Sequence, residues 1–257
     1  MVILFDVNGT LLDTSALGPP IRSIFGRKVS LEEWFTRVLQ HAAASTLSDD
    51  YRPFGDLAIA VLNITATAHG ITPSARQLAK LRSAMETLPP FPDVKRALRR
   101  LQKANFRLAV LTNSAPAALE RQMAHSGLGK YFEKALSVDL VQRYKPAPGT
   151  YRAAIQCLEV QPSDILMVAA HHWDLLGASR VGCRTAFLSR PGKALLPGAR
   201  LPTYVARDLT DLADQLLTVA DRKQPVPPRS TKKVNGTIVA CGIVLGALGI
   251  AVLPKPR

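Results

Sequence analysis

The chain opens on Val2-Ile-Leu-Phe-Asp6-Val-Asn8-Gly-Thr10-Leu-Leu-Asp13. An uninterrupted apolar run that ends at a carboxylate reads as a strand buried on both faces, the condition found in parallel sheets. Asp6 then stands at the carboxyl end of that strand, where open α/β sheets place their chemistry. The same letters also suit a strand that ends in an ordinary Asp-Asn-Gly turn. The rest of the chain has to separate the two.

Residues 14–87 read as helical. Ser30-Leu-Glu-Glu33 has the form of a capping box, with Ser30 as N-cap and Glu33 able to return a bond to its backbone. Trp34, Phe35, Val38 and Leu39 follow at helical spacing, Phe54 to Val61 suggests a second helix, and Leu78, Leu81 and Met85 a third. With no strand among them, 14–87 is expected to be a helical insertion, closed by Leu88-Pro-Pro-Phe-Pro92. Beyond it, strands and helices alternate. A helix capped by Asp93 runs to Lys103, and an apolar strand over 106–111 ends at Thr112-Asn113-Ser114. A helix over 116–126 and a short strand over 135–138 lead to the stiff loop Arg143-Tyr-Lys145-Pro-Ala-Pro148. A helix over 150–158 precedes a strand over 164–170, which ends at His171-His172-Trp173-Asp174, and a last strand is expected at 184–188. The alternation predicts a doubly wound parallel α/β sheet formed by 1–13 and 88–221, with 14–87 as a helical insertion.

The net charge of +14 invites a nucleic-acid reading, but half of it lies in residues 222–257, which hold no acid. Lys95, Arg96, Arg99, Arg100 and Lys103 form the densest remaining cluster and read as the wet face of an amphipathic helix. No nucleic-acid motif accompanies them, and a diffuse positive field suits a small anionic substrate instead. Three cysteines, Cys157, Cys183 and Cys241, have no metal-ligand spacing and fit a reducing compartment. The first 220 residues are therefore expected to be cytoplasmic. Residues 222–235 read as a basic, proline-rich linker, and 236–253 are without charge. That length is near the minimum for a membrane-spanning helix, and basic residues outnumber on its amino-terminal side, so a membrane anchor with the body inside is expected.

Four motifs now stand in order at strand ends: Asp-x-Asn-Gly-Thr-Leu, Leu-Thr-Asn-Ser, Tyr-Lys-Pro-x-Pro and His-x-Trp-Asp-x-x-Gly-Ala. Over residues 1–220 this set resembles the haloacid dehalogenase superfamily, and more narrowly its type II, 2-haloacid dehalogenase branch. The resemblance implies a Rossmann-like core with 14–87 as its helical cap, an Asp6 nucleophile that forms an aspartyl ester, and a Lys145 that keeps Asp6 anionic. It further implies that Asp174 orients Lys145 and the hydrolytic water, and that Tyr151 supports the carboxylates. Thr10 and Thr112 can donate to the nucleophile, and Asn113 to substrate oxygens. Asn8 discriminates between chemistries. Phosphatases of this superfamily carry a second aspartate there, which protonates the leaving alcohol, and an amide cannot do that. Halide needs no proton, so carbon–halogen cleavage is favoured; Mg²⁺ is not excluded by Asn8, but the type II resemblance implies chemistry without a metal. Under the alternative, a Mg²⁺-dependent phosphatase, Asp6, Asn8 and Asp174 would hold the metal. A third alternative is a non-enzymatic, membrane-tethered module of the same fold.

The chain departs from the branch in two places. His171 stands where an amide is usual and could act as hydrolytic base or donor. Phe35 follows Trp34 where an arginine is usual, and Arg37, the nearest arginine, is turned ~200° around the helix. Trp34, Phe35 and Arg37 are carried forward as cap residues expected to line the substrate site. Partners are expected to be limited to a small anionic substrate and the membrane, with a homodimer as an open assembly.

Overall fold

A computed structural model of the chain describes residues 1–222. The predicted linker, anchor and third cysteine lie outside the described residues. Six strands, β1 (Val2–Phe5), β2 (Arg107–Thr112), β3 (Lys134–Ser137), β4 (Ile165–Ala169), β5 (Arg184–Leu188) and β6 (Tyr204–Ala206), form one sheet in the order β3-β2-β1-β4-β5-β6. Every neighbouring pair is parallel.

The apolar runs divide between two faces with the two-residue period of a strand. Ile3, Phe5, Leu108, Val110, Leu166 and Val168 join one hydrophobic cluster, whereas Val2, Leu4, Ala109, Leu111, Ile165 and Met167 join the other. That is why these strands are apolar throughout: each face is roofed by helices. Val94, Ala97, Leu98 and Leu101 of α5 (Val94–Lys103) and Leu209, Leu212 and Leu216 of the last helix (Leu209–Arg222) belong to the first cluster. Tyr151, Ala154 and Leu158 of α7 (Pro148–Leu158) and Leu175 and Ala178 of α8 (His172–Arg180) belong to the second.

Between β1 and β2 stand the cap helices α1 (Gly18–Phe25), α2 (Leu31–Leu47), α3 (Phe54–Ala68) and α4 (Ala75–Glu86). The two crossings between core and cap pair with each other. Asp13 N–H donates to Pro89 O (2.8 Å) and Phe91 N–H to Leu11 O (3.0 Å). Trp34, Val38, Val61 and Leu81 from the cap share the first cluster with β1, so cap and core are packed as one body.

Several local expectations are corrected. Ser30 does accept from Glu33 N–H (3.0 Å), but the Glu33 side chain pairs with Arg37 rather than closing a capping box. The reciprocal box is at Ser74–Gln77 instead. Asp93 begins α5 without capping it, because its carboxylate is taken by Arg190 and by Leu209 N–H (2.8 Å) at the start of the last helix, α9. β6 and α9 were not foreseen, since Tyr204–Ala206 is too short to register as a period. Among the described residues no helix is long and apolar enough to cross a membrane.

Candidate active site

Asp6, Thr112, Ala170 and His171 stand at or just past the carboxyl ends of the three central strands, and Lys145 reaches them from the loop before α7. Asp6 N–H donates to Val168 O (3.0 Å), continuing the β1–β4 ladder by one residue and fixing the direction of its side chain. Lys145 Nζ donates to Asp6 Oδ1 (2.7 Å), to Asp174 Oδ2 (2.7 Å) and to Leu111 O (2.9 Å). Those three bonds use all of the ammonium's protons. Lys145 therefore meets a substrate only through its field.

The other carboxylate oxygens are also engaged. Asp6 Oδ2 accepts from the Thr10 hydroxyl (2.7 Å) and lies 3.1 Å from His171 Nδ1. Thr10 Oγ1 accepts from Ala170 N–H (2.9 Å), which orients its proton towards Asp6. Asp174 Oδ1 accepts from the Tyr151 hydroxyl (2.6 Å). Asp6 is 4% exposed, Lys145 4% and Asp174 0%, so this is a charged cluster inside the protein. Burial by itself would push the Asp6 carboxyl up, but the Lys145 ammonium and the His171 contact outweigh it and hold Asp6 well below the usual carboxylate range. Asp174 goes the other way, because its burial and the charge of Asp6 exceed the pull of Lys145. Burial lowers the Lys145 ammonium less than Asp174 and Asp6 raise it, so it stays protonated. Two carboxylates with values pushed apart have different roles. Asp6 is the one whose ionised form the site favours more strongly.

Glycine is required at two points. Gly9 has φ +78°, and a Cβ there would stand 2.9 Å from His171 Cε1, so only glycine lets the imidazole lie over the turn after Asp6. Gly177 of α8 faces Tyr151 Cε2 and Pro146 O, which a Cβ would meet at 2.5 and 2.6 Å. Its bare backbone is what allows α7 and α8 to bring Tyr151 onto Asp174. The Lys145–Pro146 peptide is cis.

Other expected residues are close by with different tasks. Thr112 does not donate to Asp6; its hydroxyl accepts from Ser114 N–H (3.1 Å) and braces the turn after β2. Asn113 Oδ1 accepts from Lys145 N–H (3.0 Å), which ties the lysine loop to β2 and leaves the amide N–H₂ without a partner among the described residues. Asn8 is held on both sides, donating to Ser114 Oγ (3.0 Å) and accepting from Gln122 Nε2 (3.2 Å). Tyr151 braces Asp174 and lines neither of the two cavities beside the site. Arg37 is a correction: it is exposed and pairs with Glu33 one turn back (2.9 Å), so it does not reach the site. Trp34 and Phe35 do face it, in a chain of ring contacts from Trp34 through Phe35 and Phe54 to Tyr144, the neighbour of Lys145.

Sequence reasoning passed over Arg190, a side chain 6% exposed. Its guanidinium donates to Thr10 O (3.0 Å) and Asp93 (2.8 Å) and lies 4.1 Å from the centre of the Phe91 ring. It clamps the Thr10 turn to the cap hinge. A lone arginine after a strand gives no pattern that could have flagged it. Trp173 stacks on His171, with centroids 5.1 Å apart, and fixes the imidazole plane.

Two cavities flank the cluster and share Thr14 and Phe35. One of about 560 Å³ lies on the Gly9–His171 side, beneath α2. The other, about 170 Å³, lies on the Asn8–Ser114 side. A metal fits poorly between Asp6, Asn8 and Asp174. All four carboxylate oxygens already accept hydrogen bonds, and an ammonium stands 2.7 Å from each acid.

A model of the haloacid dehalogenase-like hydrolases matches residues 1–182. The chain belongs to that family. It is 30% identical over 225 residues to an (S)-2-haloacid dehalogenase of Pseudomonas sp. strain YL, across 86% of this chain and 97% of that one. It is 28% identical over 205 residues to haloacetate dehalogenase H-2 of Moraxella sp. strain B, across 79% and 91%. Among solved structures, the L-2-haloacid dehalogenase RSc1362 superposes with a TM-score of 0.79 at 27% identity, covering 84% of this chain and 98% of that one. The L-2-haloacid dehalogenase of Xanthobacter autotrophicus does so with 0.76 at 26%, covering 85% and 99%. A predicted phosphoglycolate phosphatase from Haemophilus somnus shares the fold alone, at 16% identity and a TM-score of 0.58.

Proposed function

We propose that this chain is a hydrolytic dehalogenase of short 2-haloacids, working through an ester of Asp6 and without a metal. The observation that carries the proposal is the Asp6 carboxylate at the end of β1, neutralised by a lysine with no free proton. Asp6 Oδ1 accepts one bond and keeps a lone pair for attack, whereas Oδ2 holds Thr10 and His171. Oδ1 displaces halide from C2, the C–halogen bond breaks with its electron pair, and an ester forms. Water then adds to the Asp6 carbonyl carbon, losing one proton to solvent, while the other passes to the departing alkoxide oxygen as the C–O bond of the ester breaks. Charge develops on Oδ2, where the Thr10 hydroxyl and the His171 Nδ1–H tautomer already point, an arrangement that stabilises an oxyanion. In this role His171 acts as a donor. Collapse releases the 2-hydroxy acid and restores Asp6. Asp174, held by Tyr151, keeps Lys145 in place through both steps, and the free amide of Asn113 is offered to the substrate carboxylate.

Asn8 supports carbon over phosphorus as the centre attacked: it has no acid to give a leaving alcohol, and both ends of its amide are tied. The test is halide release from 2-chloropropanoate with and without chelator. Equal release in both is expected. Release that stops with chelator, or turnover of p-nitrophenyl phosphate in its place, would overturn the proposal in favour of the phosphatase.

A further inference from the structure

Away from the hinge, the cap also meets the core at the end of α2 and in the turn before α3, residues 46–53. These lie against the segment just ahead of Lys145. Arg143 Nη1 donates to Thr46 O (3.1 Å), and Arg143 Nη2 pairs with Asp49. Asp49 stands in the left-handed region at φ +55°, which aspartate enters more readily than most side chains. The Tyr51 hydroxyl donates to Asp139, at the start of the same segment. Tyr144 is bound to the cap by every group it carries except its carbonyl. Its N–H donates to Thr46 Oγ1 (3.0 Å), its hydroxyl to Arg52 O (2.5 Å), and its ring lies 5.1 Å from that of Tyr51 and 6.0 Å from that of Phe54.

The next residue is held by the core instead. Lys145 N–H donates to Asn113 Oδ1 (3.0 Å), in the turn before α6 (Pro116–Ser126), and its ammonium to Asp6, Asp174 and Leu111 O. The chain therefore passes from cap partners to core partners across one peptide bond, whose planarity ties the two Cα atoms rigidly together. Tyr144 is 1% exposed, so a shift of the cap would strand a buried N–H and a buried hydroxyl unless the segment moved with it. An ammonium shared among acceptors on three different segments tolerates little movement, because each bond weakens steeply as its geometry departs from the optimum. A contact that only held the cap shut could grip any edge of the core, whereas this one grips the residue beside the catalytic ammonium. We propose that the α2–α3 turn of the cap positions Lys145, with Thr46 and Tyr144 as the positioning residues. The cap then governs how the charge is held against the nucleophile. The kinetic consequence rests on the dehalogenase reading; the placement of Lys145 does not.

The experiment uses the full-length protein and 2-chloropropanoate. Thr46→Val removes the acceptor of Tyr144 N–H, and Tyr144→Phe removes the hydroxyl that reaches Arg52. Each should lower kcat about tenfold, the worth of one good hydrogen bond. KM should stay close to the parent's, because Lys145 has no proton to give the substrate. Thr46→Ser keeps the hydroxyl and should keep the parent's kcat. Leu62→Ala opens a cavity in the buried side of α3, away from the turn, and should lower the unfolding midpoint without lowering kcat. A second readout needs no turnover. With all its protons bonded, the Lys145 ammonium should exchange slowly enough to give a resolved ¹⁵N–¹H resonance at neutral pH, identified by its loss in Lys145→Gln. That resonance should exchange with water about ten times faster in Thr46→Val and Tyr144→Phe, and at the parent's rate in Thr46→Ser and Leu62→Ala. Parent-like kcat or parent-like exchange in both Thr46→Val and Tyr144→Phe overturns the proposal. So does an equal effect in Leu62→Ala, which would reduce the contact to cap stability, and so does a parent ammonium that exchanges too fast to be seen. If the parent releases no halide, the dehalogenase reading has failed, and the ammonium exchange still decides whether the cap positions Lys145.

Discussion

Lys145 is the residue on which the charge state of the whole site depends. The Asp6 carboxyl is held below its ordinary value, so its pairing adds stability above the unfolded carboxyl's pKa of ~3.9 and loses it only as pH falls through the lower folded value. The Lys145 ammonium is raised, so its contribution is complete below ~10.4 and is lost as pH rises through the higher folded value. Between those limits the pair is intact and halide release should show no acid limb until pH falls below ~4. Lys145→Gln leaves a buried anion without its main partner, a loss of about 3–5 kcal/mol in similar cases. Urea unfolding should show that loss at neutral pH. With burial no longer offset, the Asp6 carboxyl moves up, so any residual activity of the variant should rise with pH across the neutral range. A variant as stable as the parent, with a flat pH profile, would mean that Lys145 does not set the ionisation of Asp6.

At the scale of elements, catalytic geometry depends on how closely α7 and α8 approach. Gly177 is the point of contact, and it acts on Asp174 only through Tyr151. Gly177→Ala places a methyl group where 2.5 Å is available, which must push the helices apart. Overpacking of this kind costs ~1–3 kcal/mol. The expected outcome is a lower unfolding midpoint together with reduced kcat, since Tyr151 no longer holds Asp174 and Lys145 swings. A variant with an unchanged midpoint and full kcat would show that the two helices are not coupled through this contact. The elements that matter most were also the most legible. β1, β2 and β4 are apolar on both faces because helices cover both, and that alone makes the strand ends visible in the letters. β6 was missed because three residues carry no period; α9 does carry a local signal that was passed over, since Asp208 Oδ1 accepts from Asp211 N–H (2.8 Å) at its start.

For the whole molecule, order along the chain revealed the architecture, while the partners of each side chain depended on packing between distant segments. Asp6, Lys145, Asp174 and Thr10 were legible because motifs at successive strand ends converge in any doubly wound sheet. Arg37 was misplaced and Arg190 overlooked for one reason: sequence spacing gives a face of a helix, not the partner that will claim a guanidinium there. Thr112 and Asn8 were read as facing the reaction and instead brace loops, through Ser114 and Gln122 respectively. A membrane anchor in the charge-free 236–253 segment is an expectation from the sequence alone, outside the described residues. Full-length protein should pellet with anionic vesicles and a truncation after Arg222 should not; equal behaviour of the two would remove the anchor. The central claim is that Asp6 itself becomes an ester, and it is tested most directly by a single turnover in ¹⁸O water with enzyme in excess. The account predicts ¹⁸O in the Asp6 side chain and none in the 2-hydroxy acid of that first turnover. Label in the product with an unlabelled Asp6 would contradict it, because water would then have attacked C2 directly.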